Sequence, residues 1–425
     1  MDFFEINFNW IQYLITHPNK YKALKKVKKF LDQYNVDFPI ISSPLLINQK
    51  CYNNLCYASN SLIKSQTKIL KVLVKENSKK TILKIFGLPG KIEHFVDWNK
   101  LLSNRIIGRF DIIISTNNRF KFCEINVDSA INGLKFYDAF EKYFRELNLP
   151  FQKGTSSPRS EITKYLKSQI KKGGFTRIII FSLNFYIVEG SGTIYALFDL
   201  IKKTLPEIEV LLVDEKTYPE ELLTKEEGRK TLVYRMAIYR DIKNDELLEK
   251  IFASGARMIS MFENEIRSNK KWFSIFYDLK YQKYLSTNEI EIINKYIPKT
   301  YSLSNNNLDY YLENKDKYVF KKNMSYGGLG VFFGSEFSQS DLKKKIVNCE
   351  DDWIVQEAVK TKKIILPEDQ NYNMRNNSIV LGLFSIFGKH TGMLVRASSN
   401  SDVVNVTYGG AKMGWAYPVI STKKW

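Results

Sequence analysis

The stretch Gly108-Arg109-Phe110-Asp111-Ile112-Ile113-Ile114-Ser115-Thr116-Asn117-Asn118-Arg119-Phe120-Lys121-Phe122-Cys123-Glu124-Ile125-Asn126 decides the reading of this chain. Two runs rich in β-branched and aromatic residues flank Asn117-Asn118, a dipeptide that tolerates positive φ and suits a two-residue hairpin turn. With those residues at the tip, symmetry pairs Asp111 with Glu124 and Arg109 with Asn126. Directly paired residues share a face of the sheet. One face then carries Arg109, Asp111, Glu124 and Asn126, and the other carries Phe110, Ile112, Cys123 and Ile125. Two opposed carboxylates repel, so something must compensate them. An Asp, a Glu and an Asn amide are three oxygen donors suited to a hard cation such as Mg²⁺ shared with phosphate oxygens. Arg109 beside them suits a phosphate. A surface hairpin in which Arg109 pairs with Asp111 or Glu124 accounts for the same residues without a metal.

A second stretch, Tyr318-Val319-Phe320-Lys321-Lys322-Asn323-Met324-Ser325-Tyr326-Gly327-Gly328-Leu329-Gly330-Val331-Phe332-Phe333-Gly334, reads as strand, glycine loop, strand. Glycines let backbone N–H groups approach phosphates, and a Lys at a strand end adds a point charge. No G-K-[ST] closes the loop, so it is not a Walker loop, and a plain hairpin turn remains the alternative.

The rest of the chain bounds what these segments serve. Its 425 residues predict two or three domains, and 44% hydrophobic content predicts substantial cores. No run of about 20 apolar residues suggests a membrane span. The acidic start, Met1-Asp2-Phe3-Phe4-Glu5, does not read as a signal peptide. Cys51, Cys56, Cys123 and Cys349 fit neither a zinc site nor a disulfide framework, which points to a reducing cytoplasm. Only His17, His94 and His390 occur, which disfavours serine-type hydrolysis and zinc chemistry.

The formal charge of +19 has two readings: attraction to polyanions, or lysines spread over solvated helix faces. The even spread of Lys favours the second. Residues 19–33 read as a basic amphipathic helix, either a surface-packed element or a nucleic-acid contact. Residues 177–214 read as strand, helix, strand around the turn Gly190-Ser191-Gly192, a βαβ pattern that predicts a parallel α/β layer. That turn lacks the G-x-G-x-x-G spacing of a dinucleotide site. Residues 353–359 and 378–398 read as strands, and Ser304 to Asn307 as a loop. There are no repeats.

Together the two stretches resemble the ATP-grasp superfamily, and more closely its circularly permuted branch that includes glutathionylspermidine synthetase. That branch places an R-x-D strand before an E-x-N strand, both N-terminal to the Lys/Gly loop. Here these are Arg109-Phe110-Asp111 and Glu124-Ile125-Asn126, followed by Val127-Asp128. Asn269-Lys270 before an apolar helix, Ile297-Pro298-Lys299-Thr300, Trp353-Ile354-Val355-Gln356-Glu357, and Gly392-Met393-Leu394-Val395-Arg396 with Asn405-Val406-Thr407-Tyr408-Gly409-Gly410 follow in the family's order. Each motif is weak alone, and their order over roughly residues 85–415 carries the likeness. Lys322 stands where the family commonly has Pro.

The resemblance implies an α/β fold with α+β elements: a permuted ATP-grasp core with an inserted βαβ, pre-ATP-grasp-like domain. Residues 1–84 would be a mainly helical region of unknown role, and 85–150 the metal-binding part of the core. Residues 151–260 would form the βαβ domain, and 261–425 the nucleotide-binding lid with the rest of the core. The resemblance further implies Mg²⁺ on Asp111, Glu124 and Asn126, and the transferring phosphate on Arg109 and Arg396. ATP would meet Lys270 and Lys321, the lid glycines Gly327, Gly328 and Gly330, and Gln356 and Glu357 at the adenine or ribose. The implied activity is ATP-dependent ligation of a carboxylate to an amine through an acyl phosphate. The substrates would be small molecules or peptides, or be carried on tRNA, and no membrane is involved. The competing readings are a phosphotransferase on the same scaffold and a nucleic-acid-binding protein on an inactive ATP-grasp fold.

Overall fold

The computed structural model describes residues 2–17, 39–41, 43–128, 131, 133–146, 156–188, 193–346, 352–367, 374–401, 404 and 410–419. The basic segment 19–33, the Gly190–Gly192 turn, Cys349 and the Asn405–Gly409 part of the last motif lie outside the described residues. In chain order the strands are β1 (Leu45–Asn48), β2 (Ile107–Ile114), β3 (Phe120–Val127), β4 (Arg177–Phe181) and β5 (Glu209–Val213). Next come β6 (Thr231–Arg235), β7 (Arg257–Ile259), β8 (Thr300–Ser302), β9 (Tyr318–Lys322) and β10 (Val331–Phe333). The last are β11 (Trp353–Glu357), β12 (Ile364–Pro367), β13 (Met374–Ile386), β14 (Lys389–Ser398) and β15 (Lys412–Val419).

They build three sheets. The central one has the order β1-β15-β14-β13-β2-β3, with β12 on the outer half of β13. It is antiparallel except where β1 joins β15 in parallel. Residues 1–84 therefore add a strand to this sheet. They also add the helix Gln49–Glu76, whose apolar stripe (Leu55, Leu62, Ile69, Leu73) shares a core with Phe110, Ile112 and Ile125 of the hairpin. That burial contributes about 1.5–3 kcal/mol per large side chain. The opposite face of the sheet carries Leu394 and Trp415, packed under the helix Phe136–Glu146 through Phe136 and Phe140.

The strands expected at 177–181 and 209–213 are parallel neighbours, β4 and β5, in an all-parallel sheet of order β5-β4-β6-β7. Ile178, Ile179 and Ile180 are fully buried, as the continuous apolar run of a strand covered on both faces requires. The third sheet, β10-β9-β11-β8, is antiparallel and has its own small core around Phe320, Leu342, Trp353 and Val355.

One local expectation fails. Ser304 to Asn307 is a helix start, not a loop. The Ser304 side chain meets the backbone of Asn307, and the Asn307 side chain returns to the Ser304 N–H, a capping box that opens the helix Asn305–Glu313. The Asn-rich composition that suggested a loop is also cap chemistry, because short polar side chains satisfy the orphan N–H groups of a first turn.

Candidate active site

The hairpin places the site. Register pairs Asp111 with Glu124 and Arg109 with Asn126, as symmetry about Asn117-Asn118 requires. The route differs from the expected one. Three residues, Thr116 to Asn118, loop between Ser115 and Arg119, with Asn118 in the left-handed region at φ 58°. A shift between Asp111 and Ile112 then pairs Ile112 with Phe122 and leaves Cys123 as a bulge. The longer loop moves the register by one residue, and the bulge moves it back. Phe122 rather than Cys123 thus faces Ile112, and the Cys123 Sγ donates to the Asp111 carbonyl at 3.4 Å.

Asp111 is the hub. Its Oδ1 accepts from Arg109 Nε at 2.8 Å. Its Oδ2 accepts from Arg109 Nη2 at 3.1 Å, Asn126 Nδ2 at 3.1 Å and Arg396 Nη2 at 2.7 Å. Burial pushes the Asp111 carboxyl up, but the guanidinium groups of Arg109 and Arg396 outweigh it and hold the group below the usual carboxylate range. Arg396 stands on β14, reached across β13. The β13 position between them is Gly382, where a Cβ would come within 2.9 Å of Arg109 Cδ. The glycine is what lets the Arg109 side chain cross the neighbouring strand.

Glu124 faces a different cation. Lys270 Nζ lies 2.7 Å from Glu124 Oε1 and also donates to the carbonyl of Ser325, at the entry to the glycine loop. Lys270 is held by its own turn: its N–H donates to Asn323 O at 3.3 Å, and Asn269 beside it ties back to Phe86 O at 2.8 Å. Lys321, at the end of β9, donates to Cys123 O at 3.1 Å and Gln356 Oε1 at 2.6 Å. Burial pushes the Lys321 amine down. Gln356 in turn donates to Thr300 Oγ1 at 2.9 Å, which anchors it to β8. Glu357, next along β11, is exposed and points to the other face by strand alternation. Gly327, Gly328 and Gly330 all take positive φ, between 63° and 79°.

The structure therefore brings Arg109, Asp111, Asn126 and Arg396 into one cluster, Glu124 with Lys270 beside it, and Lys321 with Gln356 next to that. The glycine loop reaches the same place through Ser325. Gly382 and Thr300 are not among the site residues that the sequence predicts. A glycine inside the strand run Leu381-Gly382-Leu383 is the signal that could have found the first. Thr300 lay inside the I-P-x-T match and carried no chemical cue.

Two observations bear on what this arrangement can hold. Arg396 Nε is buried and has no acceptor among the described residues, the position an oxyanion would fill. The donor set for a hard cation is also present, but unevenly. Asn126 turns its Nδ2 to Asp111 and keeps Oδ1 as an acceptor, and Glu124 keeps Oε2. Asp111, by contrast, spends both oxygens on two arginines and an amide. Among the described residues no group of three or more His, Cys, Asp or Glu side chains gathers as a metal site, so a cation here would complete its shell with phosphate oxygens and water.

The fold these strands define is a glutathione synthetase-like one. A glutathione synthetase-like effector from Globodera pallida, solved in its apo form, aligns with a TM-score of 0.59 at 14% identity, covering 94% of this chain and 97% of that one. A protein assigned as a gamma-glutamylcysteine synthetase from Methylobacillus flagellatus KT aligns at a TM-score of 0.43 and 10% identity, covering 82% of this chain and 85% of that one. No protein-family model and no curated protein matches the chain. At 14% identity the likeness to the Globodera pallida protein shows a shared fold. Among the described residues no helix is long and apolar enough to cross a membrane.

Proposed function

We infer that the chain is a ligase that uses ATP to join a carboxylate to an amine through an acyl phosphate, on an ATP-grasp core of permuted order. The observation that carries the reading is the charge arrangement. Arg109, Arg396, Lys270 and Lys321 set four formal positive charges against the two of Asp111 and Glu124, leaving +2. ATP with one Mg²⁺ carries about −2 at neutral pH, the opposite sign and the same size. Buried cations left with net charge call for an anion of this kind.

Glu124 and Asn126 would hold the cation, which would draw phosphate oxygens together and neutralise developing charge. Asp111 would keep Arg109 and Arg396 aimed, and Arg396 Nε and the Arg109 guanidinium would hold the transferring group. Lys270 and Lys321 would contact the phosphates and the adenine side, with Gln356 at the base, while Glu357 turns to the other face of β11. Gly327, Gly328 and Gly330 would bring backbone N–H groups over the triphosphate. A substrate carboxylate would attack the γ-phosphate, and an amine would then displace phosphate from the acyl phosphate. Positioning and electrostatics dominate such transfers, so no protein nucleophile is needed. The substrates would be small molecules or peptides, with a tRNA-borne donor tested alongside.

The test is an ADP-release screen of carboxylates and amines in pairs, with Glu124→Gln as control. The expected result is ADP formed only with both partners and Mg²⁺, together with a joined product. ADP without a joined product would replace the ligase with a phosphotransferase. Salt-sensitive RNA binding with no turnover under any pairing would replace it with a nucleic-acid-binding protein.

A further inference from the structure

The glycine loop does not rest on its own sheet alone. Tyr326, at its crest, sends its hydroxyl to Asp241 Oδ2 at 2.7 Å, and Tyr186 donates to the same oxygen. Next to Asp241, Arg240 Nη1 donates to the carbonyl of Met324 at 2.6 Å. From the other side, Lys270 reaches Ser325 O. Three successive loop residues, Met324, Ser325 and Tyr326, are each held from outside the β8–β11 sheet. Within the loop, the backbone bonds are Lys322 N–H to Gly330 O at 2.8 Å, Leu329 N–H to Tyr326 O at 3.1 Å and Val331 N–H to Gly328 O at 3.3 Å. With three glycines, such a loop has many backbone states to choose from, and outside contacts narrow the choice.

The outside contacts come from one place. Asp241 closes the short turn Tyr239–Asp241 after β6, and Tyr186 lies on the helix Asn184–Val188 after β4. Both stand at the carboxyl edge of the parallel sheet, where open α/β units take their ligands. The helix is fastened there by Asn184 Nδ2, which donates to Asp214 Oδ2 at 2.7 Å.

We propose that Asp241, with Tyr186, Tyr326 and Arg240, forms a positioning clamp that fixes the glycine loop to the carboxyl edge of the parallel sheet. The nucleotide part of this rests on the ligase reading above; the clamp itself does not. None of the four is among the residues assigned above to the metal or the nucleotide. They act through the loop. Tyr186 and Tyr326 share one carboxylate oxygen, so a ligand that displaces Tyr186 from the sheet edge changes the hold on the loop. The clamp joins the crevice of one sheet to the phosphate grip of another through a single side chain.

Hydrogen–deuterium exchange of the full chain without nucleotide tests it, read on peptides covering residues 323–331, with β11 as internal control. Asp241→Ala and Tyr326→Phe are each expected to speed exchange in the loop about tenfold, the loss of a hydrogen bond to a charged group. Tyr186→Phe keeps the Tyr326 contact and should speed it less than about threefold. If Asp241→Ala loosens β11 as well, Tyr326→Phe decides, since it keeps the ring and loses only the hydroxyl. Wild-type exchange in the loop of Tyr326→Phe overturns the clamp.

A second arm adds a non-hydrolysable ATP analogue with Mg²⁺. Absence of loop protection in the wild type defeats the nucleotide reading, while the nucleotide-free comparison still judges the clamp. Where protection occurs, Tyr326→Phe should weaken analogue binding about tenfold at unchanged melting temperature. Equal binding overturns the role of the clamp in positioning the loop.

Discussion

Two carboxylates face each other across the hairpin, and their surroundings give them different work. Asp111 is buried and bonded to two guanidinium groups, so removing its charge strands both. Asp111→Asn is expected to cost about 3–5 kcal/mol in denaturant unfolding, the usual result of breaking a buried ion pair on one side. Because its folded pKa is depressed, the stabilisation it gives is present above the unfolded carboxylate range and is lost only as pH falls through the folded value. Glu124 keeps a quarter of its side chain exposed and has one Lys partner. Glu124→Gln should cost less in unfolding than Asp111→Asn, because the amide oxygen still accepts from Lys270, while lowering Mg²⁺-dependent turnover by about 10²–10³.

Lys135 behaves in the opposite way. It is fully buried, its Nζ has no hydrogen-bond partner among the described residues, and burial, with Arg159 nearby, pushes the amine down to about 7. Lys135→Met should therefore raise stability near pH 7 by about 1–3 kcal/mol. The unfolded chain holds this proton between about pH 7 and 10 while the folded chain does not, so wild-type stability rises over that window. The gain from Lys135→Met should shrink from pH 7 to pH 10, as melting curves at both values will show.

At the scale of elements, β13 shows how a strand can serve a site without contributing a charged group to it. Gly382 pairs with Asp111 and leaves room for the side chain of Arg109. Gly382→Ala should force Arg109 off Asp111, lower stability by about 1–3 kcal/mol and cut turnover together with it. A turnover loss at wild-type stability would instead mean that the side chain shifts without breaking the ion pair.

The hairpin and the glycine loop were legible in the sequence because their signals are local. Strand alternation and cap-like turn residues fix which side chains share a face. The sharing of Asp111 by Arg109 and Arg396 was not legible, because it depends on β13 and β14 lying beside β2, and the pairing of Asp111 with Gly382 spans a separation that no local period encodes. Nor was the role of Asp111 as a hub. Composition says only that a carboxylate is present, and the number of cations that reach it is a property of the packed sheet. Ser304 reads as loop for the converse reason: cap and loop chemistry use the same residue types.

At the scale of the molecule, the β8–β11 sheet has its own small core and reaches the large one through Ile354, whereas the central and parallel sheets share theirs through residues such as Phe110 and Phe181. Cooperative units follow shared burial. In low denaturant, amides of β9 and β11 are therefore expected to exchange through an opening that leaves β2, β13 and β14 protected. Exchange of all three sheets in one step would show a single unit instead. Such an opening would release Lys321 and Gln356 from Cys123 and Thr300 while Asp111 kept both its arginines.

The extra residue at Cys123 bears on how relatives of this chain can be found. A hairpin with a two-residue turn and a flat strand would bring Asp111 to Glu124 just as well as this one, with its longer turn and its bulge. Two chains could then hold the same four polar groups in the same places while their sequences disagree on where a gap belongs, twice within ten residues. Matching by position along the chain would score such a pair as unrelated through this segment, while matching by which side chains meet across the ladder would not.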